Sequence, residues 1–447
     1  MKVPRALQNM IQLANSLGAA QNDKKINLSA MIITPQAQIP LILPSEMAKL
    51  SLYSINSSDD FRIKGELQPG VLFNQVLPYR DNLYIEVTER IGLSQTMRRY
   101  RANPVYDGNP EMAGNSVHLS NLQGLDETNL TQVRFQLMEV GYAILKTVMI
   151  SDKHLMTTLG DALHIHLTRE SRARLQHLTG ADIFRGVNIE QPIDNPKVFQ
   201  TINIPSAIPL KDLAKWLQED DRFGIYTKGL GSYFQKGMWY VGPLFKAGRY
   251  ETGRRVLNIY RVPEDVIPTL EASYFVQGRV ITIMSTGKAR HIDGTDILKQ
   301  NQGTGKRVIS SDALMGEVGY YYGKGQAAIT REDTLSEYRT SIRASGEEMA
   351  PFAEDASNNL AVHLSANAAR DGTMETLSWH NSDHNLLEPF MPVRFYYMSG
   401  TGGLKYKEGT LLAARSDLQK DNQHPKLVFR EHSALNIFLN NEEIVVE

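Results

Sequence analysis

GMWYVGPLFKAGRYETGRRVLNIYRVP, residues Gly237–Pro263, is the segment from which the rest of the chain is best read. It holds two aromatic-rich runs with strand character, Trp239–Phe245 and Leu257–Val262. A polar, arginine-bearing turn region joins them, and Pro243 and Pro263 punctuate them. Glu251 is the only carboxylate, and His, Ser and Cys are missing, so the segment offers neither a nucleophile nor an acid–base pair. Its aromatic bodies are expected to be buried, with polar tips on a partner or a backbone group.

The flanking composition agrees with a scaffold. At 447 residues the chain exceeds one core, and a spacing of ~150 residues per domain predicts about three. Hydrophobic content of 42% and charged content of 22% describe a globular protein. A formal net charge of −1 argues against a generic nucleic-acid binder and against electrostatic membrane attachment, and it eases self-association. There are no cysteines, which excludes disulfides, thiolate nucleophiles and Cys-ligated zinc or iron–sulfur sites. No apolar run approaches the ~20 residues of a membrane span. Gln8, Asn9, Gln12 and Asn15 break the apolar stretch that a signal peptide would need.

Working outward, Leu7, Met10, Ile11, Ala14 and Leu17 predict a short amphipathic helix in a leading segment, 1–25. From 26 to 150 the period is that of strands: Phe61, Ile63, Gly65 and Leu67 alternate with charged residues, as do Leu83, Ile85 and Val87. Met97–Arg101 before Pro104 reads as a strand end and a basic loop. Val133, Phe135 and Leu137 lead into an extended run through Tyr142, Ile144 and Val148. Asp152 is expected to open a helix carrying Leu155, Leu159, Leu163 and His166 on one stripe. A second helix follows Pro209, with Leu210, Leu213, Ala214 and Leu217 on its apolar face. These place an α+β unit at 151–270 and a mixed linking region at 271–370, the latter with strand at Tyr274–Ile283 and a helix at Asn358–Ala369. A C-terminal β domain at 371–447, with Val393, Phe395 and Tyr397 alternating, completes the second of two barrels. The expected fold is mainly β with an α+β insert: two antiparallel β-barrel domains around a mixed middle.

Candidate chemistry is sparse. In Leu163–Leu167, His164 and His166 stand two apart, which on a helix points them to different sides. His380 and His384 have zinc-protease spacing, but Asn381 replaces the glutamate base and a solvated loop is expected. Gly303–Lys306 resembles the tail of a phosphate loop, yet Gln300 and Arg307 stand where a glycine and a hydroxyl are required. Ser232 lacks the two glycines of a nucleophile elbow, Leu230 and Phe234 taking their places. Arg98, Arg99 and Arg101 make the best basic patch, expected as a solvated face. No catalytic, cofactor-binding or metal residue is therefore assigned, and no cofactor is expected. A glycan hydrolase remains an alternative, with Trp239, Tyr240 and Tyr320–Tyr322 stacking on sugars and two scattered carboxylates cutting.

Three stretches together carry a resemblance: FRIKGELQPGVLFNQVLPYRDNLYIEV (Phe61–Val87), WYVGPLF with NIYRVP (Trp239–Phe245 and Asn258–Pro263), and NQGTGKR (Asn301–Arg307). Their co-occurrence and order resemble the central baseplate hub protein of contractile-tailed, T4-like bacteriophages over most of 26–310. The resemblance implies two barrels of the tail-tube type and a homotrimeric ring that presents six barrels, matching a six-fold tube to a three-fold spike. It implies as partners the tail tube protein or tube initiator, the central spike protein and the baseplate wedge proteins, with DNA passing through the lumen and no membrane. It also implies a place in the virion tail baseplate after assembly in the host cytoplasm. A hexameric tube adaptor or terminator ring is a further alternative.

Overall fold

The computed structural model describes residues 26–91, 94–105, 130–220, 223–251, 253–261, 274–285, 292–293, 306–309, 320–323, 361, 364–365, 368–369, 372–398, 403–421 and 428–445. The expected N-terminal helix, the Gly303–Gly305 loop and most of 310–360 lie outside these residues. The fold is mainly β with an α+β insert.

Strands β1 (Ile26–Ile33), β2 (Gln38–Pro40), β3 (Ile42–Leu52), β4 (Asp60–Leu67), β5 (Tyr84–Ile91), β6 (Ser94–Val105) and β7 (Thr131–Glu139) come first. Strict alternation makes one face of each apolar: Phe61, Ile63 and Leu67 on β4, and Ile85 and Val87 on β5, are buried. Antiparallel pairing runs β1–β5–β6–β7–β4–β3. The basic loop expected at Met97–Arg101 is instead the middle of β6, paired with β5 through Arg101↔Tyr84 and Met97↔Thr88.

A short helix α1 (Val140–Leu145) follows β7 directly. The extended run expected through Tyr142 and Ile144 is thus helical, because an apolar run this short carries no decisive period and its packing against the middle unit selects the state. Strand β8 (Met149–Thr158) precedes helix α2 (Leu159–Leu175). The helix does not open at Asp152. Residues 149–158 pair antiparallel with a later strand, and the cap falls at Thr158, whose Oγ1 accepts the Asp161 N–H at 3.1 Å. Leu155, assigned by spacing to the helical stripe, lies 62% exposed on that strand. Then come β9 (Gly186–Ile189), β10 (Val198–Pro209), which is the partner of β8, and α3 (Leu213–Glu219). Leu210, Leu213, Ala214 and Leu217 are buried as their spacing predicts. Strands β11 (Leu230–Gln235) and β12 (Met238–Pro243) make a hairpin, with β9 parallel to β12.

The remaining strands are β13 (Val256–Arg261), β14 (Tyr274–Gln277), β15 (Val280–Ser285), β16 (Ile292–Asp293), β17 (Lys306–Ile309), β18 (Tyr320–Gly323), β19 (Gly372–His380), β20 (Pro392–Met398), β21 (Leu404–Lys420), β22 (Phe429–Asn440) and β23 (Ile444–Val445). The two aromatic runs of the opening segment separate here. β12 stays in the middle unit, while β13 lies parallel to β15 and β20 in the C-terminal sheet. In the expected 358–369 helix, the described positions Ala361, Leu364, Ser365, Ala368 and Ala369 are helical.

The hairpin β21–β22 organises the whole. Leu404–Thr410 of β21 pairs with β20, whereas Ala413–Gln419 pairs with β3. A bulge between Leu411 and Ala413 marks the handover, and a bulge bends and twists a strand enough to serve two sheets. β22 meets β1 at Phe429↔Ile26, so the ring β1–β5–β6–β7–β4–β3–β21–β22 closes on itself. Leu418 and Phe429 accordingly sit in the first core, with Ile32, Phe135 and Leu137. The other half of the hairpin, with β13, β15, β19 and β20, encloses a second core around Trp379, Phe390, Leu411 and Ile437. A third core lies in the middle unit, between α2, α3, β10 and β12.

Candidate functional site

The polar groups buried deepest gather where the first ring, the middle hairpin and the C-terminal strands meet. The β11–β12 turn is Lys236–Gly237, both at positive φ (54° and 74°), the geometry of a two-residue hairpin turn. A Cβ on Gly237 would also come within 2.2 Å of the Ile183 carbonyl oxygen, so glycine is required twice over. Glu139, ending β7, accepts both turn amides, Lys236 N–H at 2.8 Å and Gly237 N–H at 2.6 Å. Lys236 Nζ donates to the Asn385 carbonyl at 2.6 Å. Burial, with the Asp59 charge nearby, pushes the Glu139 carboxyl up to about 7. Burial likewise depresses Lys236 to about 8, with Arg98 acting in the same direction.

Beside this turn, Asp59 accepts from Ser51 Oγ (2.5 Å), Tyr233 OH (2.8 Å) and Gln235 Nε2 (3.2 Å). Burial raises its pKa despite those donors. Ser51 Oγ also lies 2.8 Å from His384 Nε2, and His384 Nδ1 lies 2.8 Å from Ser416 Oγ. Ser416 contacts Ser433 (2.5 Å), and Ser433 donates to Ser382 (2.6 Å). Next to this chain, the ammonium of Lys49 lies 2.6 Å from Glu89 and 3.8 Å from Glu431. Burial opposes the charge on both Lys49 and Glu89, but the carboxylates of Glu431 and Glu89 outweigh it at Lys49, which is raised, and Lys49 outweighs it at Glu89, which is lowered. The loop His380–His384, expected to be solvated, is thus half interior: Ser382 and His384 are buried and supply its polar contacts.

Ser, His and Asp meet here, but not in the order that activates a nucleophile. Asp59 holds the serine rather than the histidine, and the second ring nitrogen of His384 faces another serine. What the arrangement does chemically is tie strands together: β3, β11, β21 and β22 are joined by buried side-chain bonds.

A second node ties the middle unit to the C-terminal sheet. Glu190, just after β9, accepts from Arg249 (2.6 Å) and Arg254 (2.9 Å). Arg249 also donates to Thr410 Oγ1 (2.6 Å) and the Phe390 carbonyl (3.3 Å). These are two of the four arginines of the opening segment, and their partners are internal, whereas Arg255 and Arg261 are exposed. Glu251, the lone carboxylate there, stays exposed and pairs with Arg279 at 2.9 Å.

The remaining candidates fall as follows. His164 and His166 point apart on α2, and His166 instead meets His154 of β8, Nε2 to Nε2 at 2.7 Å, beside Asp152. Arg98, Arg99 and Arg101 do not share one patch. Strand alternation turns Arg98 toward Glu139, while Arg99 and Arg101 lie over the Tyr84 ring on the other face. Trp239 is fully buried, its Nε1 donating to Ser171 Oγ at 3.0 Å, and Tyr240 is buried too. Neither is offered to a sugar. A cavity of about 660 Å³ lies between the loop 53–60, α3 and β11, lined by Ser232, Asp59, Asp60, Asp212 and Glu219. Each of these acids is already engaged: Asp60 by Gln136, Asp212 by Lys211 and Glu219 by Lys215. Of the junction the sequence picks out His384 alone, and for a metal spacing it does not use, since the members are scattered from Lys49 to Ser433. A polar residue interrupting an inward-facing strand position, such as Ser51 or Ser416, is the only local signal it leaves.

No family model matches the chain, and no curated protein matches it. Among solved structures, it is similar to the tail protein from Neisseria meningitidis MC58, with TM-score 0.44 and 10% identity, covering 92% of this chain and 96% of that one. It is similar to the 43 kDa tail protein of prophage MuSo2 from Shewanella oneidensis, with TM-score 0.44 and 11% identity over 92% and 97% of the two chains. It is also similar to the E. coli c3393 protein, described as a component of the type VI secretion system. That match has TM-score 0.41 and 7% identity over 92% of this chain and 77% of that one.

Proposed function

We propose that the chain is a structural hub subunit of a contractile phage-tail baseplate. Three copies form a ring that adapts a six-fold tail tube to a three-fold central spike and continues the DNA channel. The observation that carries this reading is the shared hairpin: β21–β22 closes one β-ring and builds the sheet of a second core, so one chain presents two β-modules in fixed relation. Three such chains would present six modules. The junction chemistry supports a mechanical role, because buried bonds from Asp59 to Ser433 and from Glu190 to Thr410 lock the modules and the insert together. The stretches Phe61–Val87 and Trp239–Phe245, which carry the family resemblance, lie in these modules and in the insert.

Such a subunit needs permanent interfaces on the order of 2,000–5,000 Å². The β8–β10 ribbon offers one candidate surface, since Met149, Leu155, Met156 and Val198 are exposed apolar side chains on two paired strands. Its partners would be its own copies, the tail tube protein or tube initiator, the spike and the wedge proteins, within the virion tail after assembly in the host cytoplasm. Native mass measurement, followed by electron microscopy with the tail partners, tests this. A trimer, alone or formed with the spike protein, is expected. A chain that stays monomeric with all baseplate proteins present, or that closes into hexamers, overturns it.

A further inference from the structure

We propose that Asp152, His154 and His166 form a binding site for a divalent transition-metal ion of zinc-like preference, which pins the β8–β10 ribbon to helix α2. This inference stands apart from the baseplate reading and does not need it.

Strand and helix geometry bring the three together. Asp152 and His154 are two apart on β8, so strand alternation sets both on one face, the face that also buries Ile150. His166 is fully buried and lies in the second turn of α2, which packs under that face. His154 Nε2 and His166 Nε2 are 2.7 Å apart, and Asp152 Oδ2 is 3.8 Å from His166 Nε2. The three donor atoms all lie within 4.8 Å of one another. Zinc holds imidazole nitrogen at about 2.0–2.1 Å, which spaces tetrahedral ligands roughly 3.3 Å apart. The carboxylate is already near that spacing, and the histidines need only part by about half an ångström. His154 is half-exposed on a two-stranded ribbon, which can yield that distance.

The donor set suits the ion. Two imidazoles and one carboxylate are ligands for Zn²⁺, Co²⁺ and Ni²⁺, and the half-exposed side of the cluster leaves a fourth position to water. The carboxylate is held from outside as a ligand's is. Lys153 N–H donates to Asp152 Oδ1 at 2.8 Å, and Arg169 forks onto Oδ2 at 3.1 and 3.2 Å. Arg169 also reaches His166 Nδ1 at 3.3 Å, a contact that must open, because a ring metallated at Nε2 carries its proton on Nδ1. The Arg169 side chain is half-exposed and keeps Glu170, at 3.0 Å, as a partner when that contact opens. The competing account of the same contacts is one N–H···N bond between two neutral rings, with no affinity for metal.

Full-length protein dialysed against chelator and titrated with Zn²⁺ by calorimetry separates the two. One equivalent is expected to bind, Co²⁺ is expected to give the visible absorption of a tetrahedral site that Zn²⁺ bleaches, and Zn²⁺ should raise the thermal midpoint. His154→Ala and Asp152→Ala are each expected to lose more than about tenfold in affinity. Both positions are half-exposed, and their metal-free thermal midpoints report that the fold is kept. His164→Ala, on the other side of α2, should bind as the parent does. Absent stoichiometric binding, an octahedral Co²⁺ spectrum only, or binding unchanged in both ligand variants overturns the proposal.

Discussion

Glu139 carries the clearest pH signature of any single residue. Its carboxyl is raised from 4.5 to about 7 in the folded chain by burial and by the neighbouring Asp59 charge. Between those values the folded protein holds a proton that the unfolded chain has released, so stability falls as pH rises through that window. From pH 5 to pH 7 the loss from this group is about 2 kcal/mol. Glu139→Gln should flatten that part of the pH profile, which urea unfolding at the two pH values will read. An unchanged slope would mean that Glu139 is ionised throughout. Glu190 makes a different residue-scale case, since Arg249 and Arg254 both depend on it within buried surroundings. Glu190→Ala is expected to cost about 3–5 kcal/mol in denaturant unfolding, because two guanidinium groups lose their counter-charge. Pairing Glu190→Gln with Arg249→Met should restore part of that loss.

Among the elements, the β21–β22 hairpin bears the strictest geometric demand. A Cβ added at Gly409 would fall 1.7 Å from the Phe438 carbonyl oxygen, a backbone atom that cannot swing aside. Gly409→Ala should therefore force the two strands apart in the second sheet and cost on the order of 3 kcal/mol. The lowered thermal midpoint should come with faster amide exchange in Ile437–Asn440, the stretch of β22 opposite Gly409. Exchange that stays uniform would place the strain elsewhere. The same hairpin accounts for the bulge at Leu411/Ala413: without the bend, one strand could not give its first half to β20 and its second half to β3.

At the scale of the whole molecule, chain order and spatial order part company. The first ring takes six strands from 26–139 and two from beyond 403, so it is incomplete until the last hairpin arrives. A chain ending at Met398 keeps those six strands but opens the edges of β1 and β3 and removes Leu418 and Phe429 from the core. Each lost side chain is worth about 2–3 kcal/mol of burial. Circular dichroism and denaturant titration of that truncated chain should show no cooperative unfolding of the first ring. A sharp transition with native-like strand signal would refute the shared closure. Such long-range pairing also predicts slow folding, since closing the ring must wait for contacts far apart in sequence.

By itself the sequence determined the strand character, because alternation at Phe61–Leu67, Leu83–Val87 and Val393–Tyr397 is local and survives any arrangement of neighbours. It also determined that Trp239, Tyr240 and Tyr250 are interior, since few surfaces could satisfy such a cluster of aromatics in water. Only the tertiary structure decided that Asp152–Thr158 is strand, that Arg98 parts from Arg99 and Arg101, and that His384 is held between Ser51 and Ser416. The reason is the same each time: those states are selected by partners tens or hundreds of residues away, and local spacing holds no record of them. The junction from Lys49 to Ser433 is the extreme case, a site made mostly of long-range contacts between residues of separate strands and loops.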